Sequence, residues 1–175
     1  MRFEGRMLSR PRGLSRWAGA EDGATLVEMA IATTVLFAVI FGIIQFSFAL
    51  YTYNYVSDAA REGARWAMVR GANCSINTKT LDHCGATIPD IQTYVRSLGY
   101  PGIDSANRMT VNTTWFAQTW DSNASTMTWA KCENQCNEQG NEVQVNVSYR
   151  FPLNIPFWKA STLNVQSTAT MVISQ

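Results

Sequence analysis

Ionisable side chains are scarce in this sequence and nearly balanced: 15% of the 175 residues are charged and the formal net charge is +1. No global field exists to attract a nucleic acid or an acidic polymer, so neither is expected as a ligand. Histidine is scarcer still, with His83 alone in a loop beside Cys84. One histidine, with no spaced nucleophile and base, leaves no catalytic set, so no enzyme, cofactor or small-molecule substrate is expected. Internal repeats and low-complexity segments are also missing. From Met29 to Ser57 the chain has no Asp, Glu, Lys or Arg at all. At about 1.5 Å per residue, the run MAIATTVLFAVIFGIIQFSFAL is long enough to cross hydrocarbon, which takes about 20 residues. A soluble helix apolar on every face would need a larger surrounding core than a chain of this size builds. A secretory signal peptide is excluded by length, because its apolar region has only about 7 to 15 residues.

The charge that is present is unevenly placed. Residues 1–22 hold Arg2, Arg6, Arg10, Arg12 and Arg16 against Glu4, Glu21 and Asp22. Arg61, Arg65 and Arg70 compete on the other flank, and the positive-inside rule tilts the balance mildly toward a cytoplasmic N-terminus. All four cysteines, Cys74, Cys84, Cys132 and Cys136, lie beyond the apolar run. An even number in one small domain suits an oxidising compartment and disulfides. The competing four-thiolate zinc site favours short C-x2-C knuckles, whereas the spacings here are C-x9-C and C-x3-C, so no metal is expected. Four cysteines allow three pairings, of which Cys74 with Cys84 and Cys132 with Cys136 is the simplest.

Past the run, residues 50–70 contain no proline and keep an apolar stripe at Val56, Ala60, Ala64 and Ala67. One helix is therefore expected from about 24 to 70, roughly 70 Å long. Tyr51, Tyr53 and Tyr55 are expected at its exit from the bilayer, where tyrosine rings bury and hydroxyls stay wet. Gly71 and Asn73 end the helix. A loop over 72–86 leads to a second helix at about 88–98, with Thr87 as cap, Pro89 and Asp90 in the first turn, and Gly99 and Pro101 as terminators. Ile88, Ile91, Val95 and Leu98 form its apolar face. From 107 onward the period becomes two. EVQVNVSYRF places Val143, Val145, Val147, Tyr149 and Phe151 on one face of a strand; Val111, Thr113 and Trp115 mark an earlier one, and Leu163, Val165, Ala169, Met171 and Ile173 a later one. Residues 118–141 read as a long loop tied down by its cysteine pair. The expected class is α+β, a long helix continuing into a small domain of one helix and an antiparallel sheet of three or more strands. Phe157 and Trp158 read as core or rim, or as an exposed contact patch.

The most informative segment is GATLVE, Gly23 to Glu28, where a lone carboxylate sits five residues into the apolar helix. At a helix centre in a membrane such a charge costs about 2.5–3.5 kcal/mol, less near an end, so something should compensate it. Cleavage after Gly23 would give Ala24 a free ammonium one helical turn from Glu28, and the helix N-terminus would add favourable partial charge. A neighbouring subunit's ammonium is the alternative partner. Ala60 with Ala64, and Gly63 with Ala67, place small residues four apart, which suits either a partner helix or the protein's own sheet.

GATLVEMAIATTVLFAVIFGIIQFSFALY, followed by DAAREGARWA at 58–67, resembles the type IV pilin superfamily and, more narrowly, the TadE family of pilin-like proteins of Tad/Flp pilus systems. The likeness covers about 45 residues; beyond residue 70 it is one of layout only, including STATM near the C-terminus. The resemblance implies a non-enzymatic pilus component, a prepilin peptidase cleaving after Gly23, and a role for Glu28 in subunit packing or insertion. It also implies other pilin-like subunits and Tad/Flp assembly proteins as partners. Glu21 and Asp22 depart from the usually basic leader. The expected layout is a cytoplasmic leader-like tail over 1–23, a transmembrane and extended helix over 24–70, and an extracytoplasmic domain over 71–175, in a bacterial inner membrane. The alternative is a signal-anchored extracytoplasmic binding domain unrelated to pili.

Overall fold

A computed structural model of the chain describes residues 18–74, 83–122, 125–133, 135–154 and 159–174. The arginine-bearing tail, most of the 72–86 loop and the pair Phe157 and Trp158 lie outside the described residues. The elements run α1 (Ala18–Met68), α2 (Ile88–Ser97), β1 (Met109–Asp121), β2 (Thr126–Lys131), β3 (Glu142–Leu153) and β4 (Ser161–Val172). The chain divides into two compact units within α1, between Gly42 and Ile43.

In the second unit the four strands form one antiparallel sheet in the order β2-β1-β3-β4. Strict alternation makes β3 its centre: Val143, Val145, Val147 and Tyr149 are buried, and the residues between them are not. Cross-strand register brings Val145 beside Thr113 and Ala169, and Tyr149 beside Met109 and Val165. Burying each of these valines is worth about 1.5–3 kcal/mol relative to exposure. The opposite face is a polar ladder of Thr and amide side chains, in which Asn146 Nδ2 donates to Thr168 Oγ1 at 2.8 Å.

Two helices complete the core. From Tyr55 to Ala67, α1 buries Tyr55, Val56, Ala59, Ala60, Gly63, Ala64 and Ala67, a helical recurrence of small and apolar residues. The small residues are therefore turned into the protein's own core, which settles that reading against a partner helix. Gly63 is the tightest point, since a Cβ placed there would stand 2.6 Å from Val95 Cγ2 of α2 and 3.2 Å from Val145 Cγ1 of β3. α2 starts on a reciprocal cap, with the Thr87 backbone N–H and hydroxyl both donating to Asp90 Oδ2, at 2.9 and 2.6 Å. Gln92 Nε2 then ties it to the Val111 carbonyl at 3.0 Å.

Three expectations change. Tyr55 is not an interfacial residue: it is buried, and its hydroxyl points at Met109 Sδ, 3.5 Å away. Residues 118–141 are not all loop, because β1 runs on to Asp121 and pairs with β2, Trp120 opposite Met127 and Gln118 opposite Trp129. This hairpin is exposed along most of its length, so burial imposes no alternation that a sequence could display. α1 also begins earlier than residue 24, at Ala18.

The packing at Gly63 yields a direct test. Gly63→Val should lower unfolding stability by about 1–3 kcal/mol through overpacking against Val95 and Val145, read as a loss in thermal or urea melts. A variant as stable as the parent would mean that the helix and sheet do not meet there.

Candidate assembly site

Gly23, Ala24 and Glu28 lie on α1, all exposed. Gly23 sits within the helix rather than at its mouth. Its backbone φ is not positive, and a Cβ added there would meet nothing within 4 Å. Neither conformation nor packing in this chain calls for glycine at position 23. Glu28 is surrounded by exposed apolar neighbours, among them Leu26, Val27, Met29 and Ile31. It has no ion-pair partner among the described residues.

Two hydroxyls in the apolar run are paired within the helix. Thr34 and Ser47 donate their hydroxyls to the carbonyls four residues back, Ala30 at 2.8 Å and Ile43 at 2.9 Å. Those polar groups are satisfied within the helix, as lipid requires. By length and apolarity α1 is a candidate membrane span over Gly23–Met68. Gln45 is the single amide in the apolar run, and its Nε2 donates to the Asn154 carbonyl at 3.3 Å. Sequence reading passed over this residue, although a lone amide among apolar neighbours was its visible signal.

Beyond the run, a ring of aromatic residues holds the 99–103 turn against α1. The rings of Tyr55 and Tyr100 lie 4.5 Å apart. Tyr100 donates to Asp58 Oδ2 at 2.5 Å, and Tyr51 donates to the Pro101 carbonyl at 3.4 Å. The bond to Asp58, more than desolvation or nearby negative charge, pushes the Tyr100 hydroxyl up to about 12.

At the far end of α1, Trp66 stacks on Tyr94 at 5.0 Å, with the Arg70 guanidinium 4.3 Å over the Trp66 ring. These side chains, with His83, Asp90 and Thr93, line a hollow of about 260 Å³. His83 Nδ1 stands 3.7 Å from Asp90 Oδ1. The Asp90 carboxyl is held below its ordinary range, first by the Thr87 hydroxyl, then by the Thr87 backbone N–H. Asp90 thus belongs to the cap of α2, and His83 stands beside it.

The cysteines are joined as Cys74–Cys84, with Cα atoms 5.3 Å apart, and Cys132–Cys136, 6.2 Å apart. Both are the local pairs, and no free cysteine is left for zinc. Among the described residues no three His, Cys, Asp or Glu side chains gather to hold a metal ion. Each bridge closes a segment at the end of the sheet distal to Leu153. Ala86 N–H bonds the Arg70 carbonyl at 2.9 Å beside the first, and Cys132 N–H extends the ladder to the Trp115 carbonyl at 3.0 Å beside the second.

Residues 23–65 match the family model of TadE-like proteins. No curated protein and no solved structure matches the chain. The matched segment opens at Gly23, contains Glu28, and ends inside the small-residue stretch that α1 buries against the sheet.

The tyrosine ring makes stability depend on alkaline pH. A hydroxyl whose folded value lies above its ordinary 10.0 contributes stability that is complete below pH 10 and is lost as pH rises toward about 12. The melting-temperature gap between the parent and Tyr100→Phe should therefore be open below pH 10 and narrow as pH climbs toward 12. A gap independent of pH would contradict the Tyr100–Asp58 bond.

Proposed function

We propose, with the TadE-like match over residues 23–65 as premise, that this chain is a membrane-anchored, non-enzymatic, minor pilin-like component of a Tad/Flp-type pilus. In this reading residues 1–23 are a cytoplasmic leader, 24–70 carry the span and its extension, and 71–175 lie outside the bacterial inner membrane. The observation that carries the proposal is the pairing of an uncompensated carboxylate, Glu28, with a helix that is apolar and exposed on all sides. That surface calls for lipid or neighbouring helices around it. The charge calls for a cation that no described residue supplies, and such a cation arises if a prepilin peptidase frees the Ala24 amine, on the same subunit or on an adjacent one. The glycine fits the same reading, since its lack of a side chain serves nothing inside the fold and leaves a bare peptide bond for the peptidase. The partners in this account are the membrane, other pilin-like subunits, Tad/Flp assembly proteins and the peptidase.

Gly23 and Glu28 have separable roles, one defining a bond and the other a charge. Gly23→Leu should block processing, so that a form longer by residues 1–23 accumulates, whereas Glu28→Ala should be processed normally yet yield far fewer pili. Gel mobility with N-terminal sequencing and a pilus count measure both. A mature chain starting anywhere other than Ala24 would refute the processing step, and normal pilus numbers in Glu28→Ala cells would refute the assembly role. For orientation, a periplasm-active reporter should work when fused after Gln175 and fail when fused near Trp17; the reverse pattern would overturn the topology.

A further inference from the structure

The folded domain includes residues 43–50, the last turns of the apolar run. On α1 the residues covered by the second unit recur as Gln45, Ala49, Thr52 and Val56, a spacing that marks one helix face. The other faces of the same stretch are bare and apolar, with Ile43 61% exposed, Phe46 63% and Leu50 49%. Covered and bare faces at the same level mean that one end of the sheet lies beside the last turns of the apolar run. Gln45 identifies that end, because Asn154, whose carbonyl it bonds, directly follows Leu153 at the close of β3. Between Gln45 and Tyr51 the axial rise is only about 9 Å at 1.5 Å per residue, and Tyr51 bonds the Pro101 carbonyl. Two segments of the domain, at Asn154 and at Pro101, therefore meet α1 within about 9 Å of axial rise, close to the thickness of one headgroup layer, about 5–8 Å.

The exposed groups at this end fit such a layer. Lys159 is an exposed cation that can reach lipid phosphates, Arg150 is exposed with its Nη2 donating to the Asn107 carbonyl at 3.4 Å, and Leu163 is an exposed apolar residue near the start of β4. Tyr51 and Tyr53 are exposed on α1 just past the apolar run, and tyrosine concentrates where a helix leaves the bilayer. The nearby polar backbone is tied up by Gln45 and Tyr51, which lowers the cost of bringing it close to hydrocarbon. We infer that the Leu153–Asn154 end of the sheet, with Lys159, rests on the anionic headgroups of the outer leaflet, so that the domain is seated on the membrane as well as tethered to it. The inference deepens the membrane-anchored reading and depends on it.

The test uses the full chain, both disulfides intact, in vesicles of phosphatidylcholine and phosphatidylglycerol. An environment-sensitive fluorophore is attached in turn at Asn154→Cys, Lys159→Cys, Val35→Cys in the run, and Thr126→Cys at the opposite end of the sheet. Asn154 bonds Gln45 through its backbone carbonyl, so replacing its side chain leaves that contact possible. Nitroxide-bearing lipid should quench the labels at 154 and 159 several-fold more than the label at 126, and aqueous iodide should show the reverse order. If 154 and 159 are as open to iodide as 126 while 35 is quenched by lipid, the seating is wrong and the anchor stands. Shielding from iodide without lipid quenching would mean that another subunit covers this end, which also overturns the seating. Absence of lipid quenching at 35 would remove the anchor and the seating together.

Discussion

The close approach of α1 to β3 and α2 at Gly63 is the constraint on which the rest of the second unit depends. A helix can lie this near a sheet only where its side chains stop at Cβ or before it, and Ala59, Ala60, Gly63 and Ala64 supply that surface. The valines of β3 fill the space that a larger helix residue would occupy, and Val95 brings α2 over the same glycine. The sheet then needs no second layer, because its other face is a hydrated ladder of hydroxyls and amides.

The same helix meets two different demands along its length. Up to about Leu50 its apolar residues stand exposed on nearly every face, and their hydroxyl-bearing neighbours bond back to the helix's own carbonyls. From Thr52 onward only one face is apolar and it is covered, while Asp58, Arg61 and Arg65 take the outside. Residues 45–51 are where the two regimes overlap. There Gln45 and Tyr51 spend their side chains on the backbone of the domain.

Much of this was legible in the sequence for physical reasons that differ by element. The alternation in EVQVNVSYRF was readable because β3 is covered on one face from end to end, and the α2 boundaries were readable because Thr87, Pro89 and Asp90 act locally. β2 was not, since an exposed edge strand leaves no period. Tyr55 was misplaced because its neighbours Tyr51 and Tyr53 are exposed and only three-dimensional packing turns it toward Met109. The Gly23–Glu28 segment stood out through what the fold leaves unexplained, a glycine without a packing reason and a carboxylate without a described partner. The Tyr100–Asp58 and Gln45–Asn154 bonds join residues 42 and 109 positions apart and could not be read from spacing.

The central claim is that one helix is a candidate membrane span in its first half and core in its second, and that only the second half depends on the sheet. Hydrogen exchange of the full chain in lipid nanodiscs, followed as denaturant is raised, tests it most directly. The account predicts that the amides of 56–67 lose protection together with those of 143–149, while 30–44 remain protected. Continued protection of 56–67 after 143–149 have exchanged would show a helix that stands without its sheet, and would contradict the account.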